Sequence, residues 1–488
     1  MVLVFVAASC NKEAESASLS FDRTSLYFEN WGADPQTISY KASRAKYVAV
    51  SSISEGWTAT VNGATNTVMI WPSGATEEGM TNEDLPTEGS VVINALNSDN
   101  HATSYYIYLY IAKTQTLDSD GIELANCYVV TAPSMCYSFD AMHRPDGTDL
   151  ATASVKLLWQ SNPGVVKNVN LADGKALFYV TALEDDGTRL EDTNAVVAAC
   201  NAANEVIWSW HLWIVNDNPL DATDTYSNNK VFMRYNLGAF TNSNGSTDEQ
   251  KILDSHGMYY QWGRKDPFQR PYYFNASGAD NESRYNEQGV YISEKYLERS
   301  SSNGTMEYVT ANPMHFITNA ACVEDGGDGV GDWLVSANDN LWNDAQKSLY
   351  DPCPYGWRVP TKEDLSVLSI ADDNTPLDDT LRKQYGWSLS DGASTFFWSA
   401  CGRRRYNDGK VENVNYYTKE EYDNYDPSWG CDPQPQPWAG YYWTSTTDAS
   451  GKAVSLFFDL RTTRAVNHFD KEHKARKANG FQVRCVKE

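Results

Sequence analysis

The chain has 488 residues, of which 41% are apolar and 21% charged, a balance typical of a globular protein. Its formal net charge of −25 argues against nucleic acid as a partner, because so acidic a surface repels phosphate backbones. The length exceeds what a single hydrophobic core fills, so it predicts about two to four domains.

The first ten residues, MVLVFVAASC, form a short apolar run that ends in small residues and a cysteine. This run resembles a lipoprotein signal whose lipobox spans 6–10, although no Lys or Arg precedes it. The resemblance implies that Cys10 is acylated, that 11–18 is a flexible tether, and that the lipid alone contacts the membrane. The Asn-Lys-Glu after Cys10 resembles the surface-export signal of Bacteroidetes lipoproteins, which places the protein on the cell outer membrane, exposed at the surface. A buried N-terminal strand is the alternative.

Seven short β-rich runs separated by Gly, Asn and Pro occupy residues 19–114. This spacing predicts an immunoglobulin-like β-sandwich. The opening LSFDRTSLYFE and the inner Gly56-Trp57 resemble the BACON family, which implies carbohydrate binding. A role as a stalk spacer is the favoured alternative, because fold alone does not fix function.

A second β-rich domain is predicted over 121–225, after a linker at 114–121. Residues 207–215 (IWSWHLWIV) alternate with period two and are apolar on both faces, which predicts a buried central strand. We interpret His211 as a hydrogen-bonded core residue rather than a metal ligand, since no His or acid lies two residues away.

Five motifs then occur in order: MRYNLGAF (233–240), HGMYYQWGRKDPF (256–268), LYDPCPYGWRVPT (349–361), YYWTSTT (441–447) and NGFQVRCVKE (479–488). Together they resemble the Fibrobacter succinogenes major paralogous domain. The preceding ANCYVV (125–130) and NAVVAACNAANEVIWSWHLWI (194–214) resemble the N-terminal part found with this domain, so the resemblance covers about 121–488. It implies a C-type-lectin-like fold over 226–488, so that the whole chain is mainly β with an α+β C-terminal part. It also implies kinship with adhesin-type surface proteins, including fimbrial tip subunits, and no catalytic residue is carried over.

The same resemblance implies a disulfide between Cys353 and Cys485, which an oxidising compartment would permit. Cys353 has no His within its motif to activate it as a nucleophile, and the spacing of a zinc knuckle is absent. Pairs 127–136 and 401–431 are further disulfide candidates, and free buried thiols are the alternative. After Pro360, Thr361 and Asp364 echo a capping box and predict a helix that buries leucines.

Aromatic residues with amides and acids between them crowd the segment 406–443. Such rings suit sugar CH faces or protein contacts, and loops often carry binding, although burial in the core is the alternative. The candidate ligand-binding residues are Tyr416, Tyr417, Tyr422, Tyr425, Trp429 and Trp438.

The Gly-rich loop at 324–332 carries three candidate metal ligands, Asp325, Asp328 and Asp332, whose carboxylates suit calcium. A solvated loop without metal is the alternative, because the spacing is not that of an EF-hand. Leu341-Trp342-Asn343-Asp344 resembles part of a C-type lectin site, but the accompanying Glu-Pro-Asn is absent. No other cofactor is predicted.

The sequence therefore predicts a lipid-anchored recognition protein, an adhesin or fimbria-associated binder, and not an enzyme. The expected partners are a glycan or a host or cell-surface protein, with fimbrial subunits as further partners. One alternative is a glycan-capture lipoprotein of a polysaccharide-uptake system. Another is an enzyme with an architecture like that of formylglycine-generating oxidases, although the sequence shows neither their paired-cysteine motif nor a catalytic triad.

Overall fold

A computed structural model describes residues 16–270, 283–321, 331–344, 346–370, 385–412, 439–460 and 469–488. The chain is mainly β, as predicted, and divides into two compact units. Of the described residues, the first unit holds 16–115, 135–137 and 170–173, and the second unit holds the rest. Among the described residues, no helix has both the length and the apolarity needed to cross a membrane.

The first unit is built from two four-stranded sheets. Its main strands are β1 (Ser18–Phe21), β2 (Ser25–Phe28), β3 (Gln36–Ser43), β4 (Tyr47–Ile53), β5 (Trp57–Asn62), β6 (Thr67–Pro72), β7 (Glu88–Leu96) and β8 (Ala102–Ile111). A single 3-10 turn, Asn82–Asp84, precedes β7. The sheets have strand orders β1-β3-β6-β5 and β2-β8-β7-β4.

Alternate residues of both sheets point inward and form the core of this unit. Ile38 and Ile70 from one sheet lie in the same buried cluster as Ile93 and Ile107 from the other. This confirms the predicted immunoglobulin-like sandwich. The predicted tether is too long at its end, since Ser18 begins β1 and its neighbour Ala17 is buried.

The following strands are β9 (Thr114–Thr116), β10 (Cys127–Val130), β11 (Met135–Asp140), β12 (Ser154–Gln160), β13 (Val166–Ala172), β14 (Lys175–Val180), β15 (Thr193–Cys200), β16 (Val206–Ile214), β17 (Thr223–Thr225), β18 (Val231–Met233), β19 (Tyr260–Gln261), β20 (Lys295–Glu298) and β21 (His315–Thr318). The last strands are β22 (Trp357–Arg358), β23 (Gly386–Ser390), β24 (Thr395–Ser399), β25 (Arg403–Arg404), β26 (Val411–Glu412), β27 (Ala439–Thr447), β28 (Ala453–Asp459), β29 (Phe469–Ala475), β30 (Gly480–Phe481) and β31 (Val486–Lys487). Two short helices, α1 (Glu249–Asp254) and α2 (Met306–Ala311), occur among them.

One four-stranded sheet of the second unit has the order β10-β16-β15-β12. Strand β16 lies inside it, parallel to β10 and antiparallel to β15, and is almost wholly buried. The predicted central strand at 207–215 is thereby confirmed. Its two apolar faces follow from having protein on both sides.

The core of the second unit runs without a break across residue 225, the predicted end of the second β-rich domain. Trp213 packs edge-on against Tyr235, and its indole Nε1 donates a hydrogen bond to the carbonyl of Ala239 at 2.8 Å. Both rings belong to one buried cluster that extends to Cys485. The predicted boundary between 121–225 and 226–488 therefore does not separate two compact units. The C-type-lectin-like fold itself remains a prediction.

Cys353 and Cys485 are joined by a disulfide, with their Cα atoms 6.1 Å apart. The bond lies beside the antiparallel pair of β22 and β31, and β31 also pairs with β18. The motif around Cys353 is thus a structural corner, with Trp357 buried in it. The disulfide proposed for Cys127 and Cys136 is wrong, because both are free buried thiols, and Cys401 of the other proposed pair is also a free thiol. Its proposed partner Cys431 lies outside the described residues.

The helix predicted after Pro360 does not form. Thr361 and Asp364 do exchange the hydrogen bonds of a capping box, at 2.8 and 3.1 Å. The carboxylate of Asp364 also pairs with Arg358 at 2.8 Å. Beyond it the chain continues as turns with i to i−3 hydrogen bonds, and Ser369 is then bridged to Ser390, which stops a helix from propagating.

Candidate functional site

A polar pocket of about 290 Å³ opens in the second unit, and we take it as the candidate functional site. Pockets with a few converging polar groups are the usual places of ligand binding. The residues that line it come from the ends of strands, from loops and from a short helix. They are Asn162, Asp192, Phe240, Gln250, Asp254, Arg270 and Ser283. This set is called the polar pocket below.

Helix α1 supplies one wall of the polar pocket. Asp248 caps the helix, since its side chain accepts a hydrogen bond from the backbone N–H of Lys251 at 2.9 Å. Gln250 and Asp254 lie four residues apart and therefore on one face. The Gln250 amide donates to both carboxylate oxygens of Asp254 at 3.0 Å. The opposite face anchors the helix by burying Ile252 and Leu253.

Arg270 forms the charged floor of the polar pocket. Its side chain is 1% exposed, and its guanidinium stacks over the ring of Phe240 at 4.3 Å. One terminal nitrogen pairs with Asp254 at 3.2 Å, and the other donates to the carbonyl of Leu253. A buried arginine held by a carboxylate, a carbonyl and a ring is fixed in one orientation.

The paired ends of β12 and β15 supply the opposite wall. Asn162 follows β12 and donates from Nδ2 to the carbonyl of Asp192 at 2.8 Å. Asp192 precedes β15, and its Oδ1 accepts the N–H and the amide of Asn216 at 2.9 and 2.7 Å. Burial raises the pKa of the Asp192 carboxyl, while the Asn216 bonds and the Arg270 charge oppose that rise.

The loop that carries Phe240 is held in place by a glycine. Gly238 has φ +83°, and a Cβ there would lie 2.4 Å from Cγ of Met258. Its carbonyl accepts a hydrogen bond from Asn194 at 2.9 Å, and the N–H of Phe240 donates to the carbonyl of Asp254 at 2.7 Å. Only a residue without a side chain fits this close approach, so the glycine sets the position of the Phe240 ring.

None of the sequence-predicted site residues is among the described residues that line the polar pocket. Tyr416, Tyr417, Tyr422, Tyr425, Trp429 and Trp438 are outside the described residues, as are Cys10, Asp325 and Asp328. Asp332 is described and buried: its Oδ1 accepts the N–H of Leu334 at 2.9 Å, and its Oδ2 lies 3.7 Å from Lys477. In the described parts of the chain, no group of three or more His, Cys, Asp or Glu is placed to hold a metal ion.

A second candidate surface lies on the sandwich of the first unit. Tyr106 and Tyr108 alternate along β8, so they share its outer face, and they are 53% and 41% exposed. Ser104, on the same face, donates to Asn94 at 2.9 Å. The predicted sandwich at 19–114 includes this strand, but no binding site was predicted on it. The polar pocket is the stronger candidate, because its hydrogen-bonding groups converge on one cavity.

His211 is a core residue, as predicted. Its Nε2 lies 2.8 Å from Oδ1 of Asn194, and its Nδ1 lies 3.3 Å from the hydroxyl of Tyr260 and 3.5 Å from Sγ of Cys127. Burial lowers the pKa of His211 to about 3. The folded protein therefore holds a neutral imidazole at ordinary pH.

We expect His211 to make the protein less stable in acid. An unfolded histidine binds a proton below about pH 6.5, while the folded one does not until about pH 3. Stability present above pH 6.5 is therefore lost as pH falls towards 3, by up to about 1.4 kcal/mol per pH unit. Urea unfolding across this window should show a shallower dependence on pH in His211→Gln than in the wild type. An unchanged slope would contradict the assignment.

Comparisons with known proteins leave the family open. No protein-family model matches the chain, and no curated protein matches it. Three solved structures similar to parts of it are the D00–D0 domain of intimin, SGBP-B of the Bacteroides ovatus mixed-linkage glucan utilization locus in complex with a mixed-linkage heptasaccharide, and human CDH23 EC21–23. Their identities to this chain are 12%, 7% and 14%, and their TM-scores are 0.15, 0.12 and 0.14. The matches cover 40%, 40% and 41% of this chain, and 96%, 43% and 70% of the other chains. Scores this low carry no argument, so the resemblance to the Fibrobacter succinogenes major paralogous domain stays a prediction.

Proposed function

We propose that this chain is a lipid-anchored cell-surface recognition protein that binds carbohydrate in the polar pocket. The observation that carries the proposal is the convergence of a buried guanidinium, two carboxylates and two amides on one cavity of about 290 Å³. That volume lies at the lower end of the roughly 300–1,000 Å³ of small-molecule sites, which suits one sugar ring.

The chemistry of the lining matches a polyol. Sugar hydroxyls both donate and accept hydrogen bonds, so they can satisfy carboxylate oxygens and amide groups together. Phe240, whose ring the Arg270 guanidinium covers, adds a small apolar part of the lining that can contact CH groups of a sugar ring. Arg270 and Asp254 hold each other in place before any ligand arrives, so little ordering is required on binding.

The anchoring and the surface location rest on the sequence around Cys10. An adhesin and a glycan-capture lipoprotein would both use this pocket and would differ in what carries the sugar. We favour recognition over catalysis because the pocket's charged groups are paired with each other, an arrangement suited to holding a ligand.

Substitution of Gln250 tests the proposal with little risk to the fold, because this side chain is exposed on α1. The expected result is that the full chain binds a monosaccharide from a calorimetric panel, and that Gln250→Ala binds it about tenfold more weakly, the effect of one lost hydrogen bond. The bound sugar should be recovered unchanged, which separates binding from turnover.

Lys251→Ala is the matched control, an exposed neighbour on the same helix that does not line the pocket. It should bind sugar like the wild type. Absence of any sugar binding, or equal affinities for the wild type and Gln250→Ala, would overturn the proposed site.

A further inference from the structure

The terminal nitrogens of Arg270 and the amides of Gln250 and Asn162, which are the pocket's main hydrogen-bond donors, already have partners within the protein. The terminal nitrogens of Arg270 donate to Asp254 and to the carbonyl of Leu253. The amide of Gln250 donates to Asp254 at 3.0 Å, and the amide of Asn162 donates to the carbonyl of Asp192 at 2.8 Å. A ligand therefore meets few donors that are not committed within the protein.

Acceptor atoms of the same residues are left over. In the described parts of the chain, Oδ2 of Asp192, Oδ1 of Asn162 and Oε1 of Gln250 accept no hydrogen bond, while Oδ1 of Asp192 is taken by Asn216. Ser283 adds a hydroxyl to the lining and can serve either way. The pocket is thus poor in donors and rich in acceptors, which selects a ligand rich in donors.

The charges of the pocket point the same way. Arg270 and Asp254 neutralise each other at 3.2 Å, whereas the hydrogen bonds to Asp192 come from the neutral Asn216. One carboxylate is therefore left without a close cation. Burial raises the pKa of this carboxyl, which reflects a cost of burying its charge that the Asn216 hydrogen bonds and the Arg270 charge offset only in part. A cationic ligand group at its second oxygen would remove that cost.

We propose that the sugar bound in the polar pocket carries a primary amine, and that its ammonium group pairs with Oδ2 of Asp192. The ligand class is an amino sugar, with its three N–H donors meeting the acceptors of Asp192, Asn162 and Gln250. This inference rests on the proposed carbohydrate function and goes further by naming the group that the pocket selects.

The test is calorimetry of the full chain at slightly acidic pH with D-glucosamine, D-glucose, N-acetyl-D-glucosamine and ethanolamine. The wild type should bind glucosamine about tenfold or more tighter than the two neutral sugars and ethanolamine, since a charge-assisted hydrogen bond adds that much. In Asp192→Asn, the ratio of glucosamine to glucose affinity should fall to near one. Asp185→Asn, an exposed acid outside the pocket, should keep the wild-type ratio.

Equal affinities of the wild type for the three sugars would overturn the inference and leave the proposed carbohydrate function standing. So would a preference that survives in Asp192→Asn. Ethanolamine binding as tightly as glucosamine would also overturn it, because the pocket would then recognise the amine alone and not the sugar that carries it. If Asp192→Asn binds none of the sugars, the ratio of glucosamine to glucose affinity in the wild type alone decides whether the inference stands. Failure of every sugar to bind would instead refute the proposed function.

Discussion

Replacing Cys353 and Cys485 together by alanine is expected to lower the free energy of unfolding by about 2–5 kcal/mol. The bond joins residues 132 positions apart, so its loss frees a long loop in the unfolded chain. It also releases β31, which pairs with β18 and β22 on its two sides. Urea denaturation, followed at the unfolding transition of the second unit, measures this loss. Alanine is chosen rather than serine because both sites are fully buried and serine would bury a hydroxyl there.

The single variants provide an internal check on this prediction. Cys353→Ala and Cys485→Ala each break the same bond, so each should lose nearly as much stability as the double variant. Cys200→Ala is the matched control, a buried free thiol whose truncation removes packing only. A double variant that loses no more stability than Cys200→Ala would show that the disulfide is not a stabilising element.

Removing the carboxylate of Glu294 is expected to have an equally large effect. Its side chain is wholly buried and lies 2.8 Å from Arg404 and 3.5 Å from Arg284, which are buried with it. Its oxygens also accept the hydroxyl of Tyr296 at 2.9 Å and the N–H of Gln269 at 3.1 Å. Glu294→Ala leaves two buried cations without this partner, so the expected loss is about 3–5 kcal/mol.

A partly exposed ion pair supplies the contrast for Glu294. Arg234 and Asp224 lie 2.8 Å apart, but Arg234 is half exposed to water. Asp224→Ala should therefore cost no more than about 1 kcal/mol. Chemical unfolding of both variants under the same conditions compares the two costs. Similar losses in the two variants would contradict the account of a buried charge cluster at Glu294.

The fold was predictable from the sequence where the spacing of apolar residues matched the positions that are buried. The alternation at 207–215 predicted β16, and the run of short strands predicted the sandwich of the first unit. The absence of a helix after Pro360 could not be predicted in the same way. Thr361 and Asp364 make the capping contacts, but a cap starts a helix without propagating it, and Asp364 is drawn to Arg358.

The polar pocket could not be predicted, because tertiary contacts assemble it from distant segments. Asn162 and Asp192 come together through the pairing of β12 with β15, whereas Gln250 and Arg270 arrive from a helix and a loop. One signal was present: Arg270 stands in DPFQRP, just after the aromatic-rich motif at 256–268. A buried cation requires a carboxylate partner, and in the structure Arg270 pairs with Asp254.

Binding of the full chain to a glycan array, with Gln250→Ala and Lys251→Ala alongside, tests the central claim most directly. The account predicts that the wild type and Lys251→Ala bind the same carbohydrates. Glycans whose amino sugar carries a free primary amine should give the strongest signals, and Gln250→Ala should lose most of that signal. A wild-type chain that binds no glycan on the array, or binding unaffected by Gln250→Ala, would contradict it.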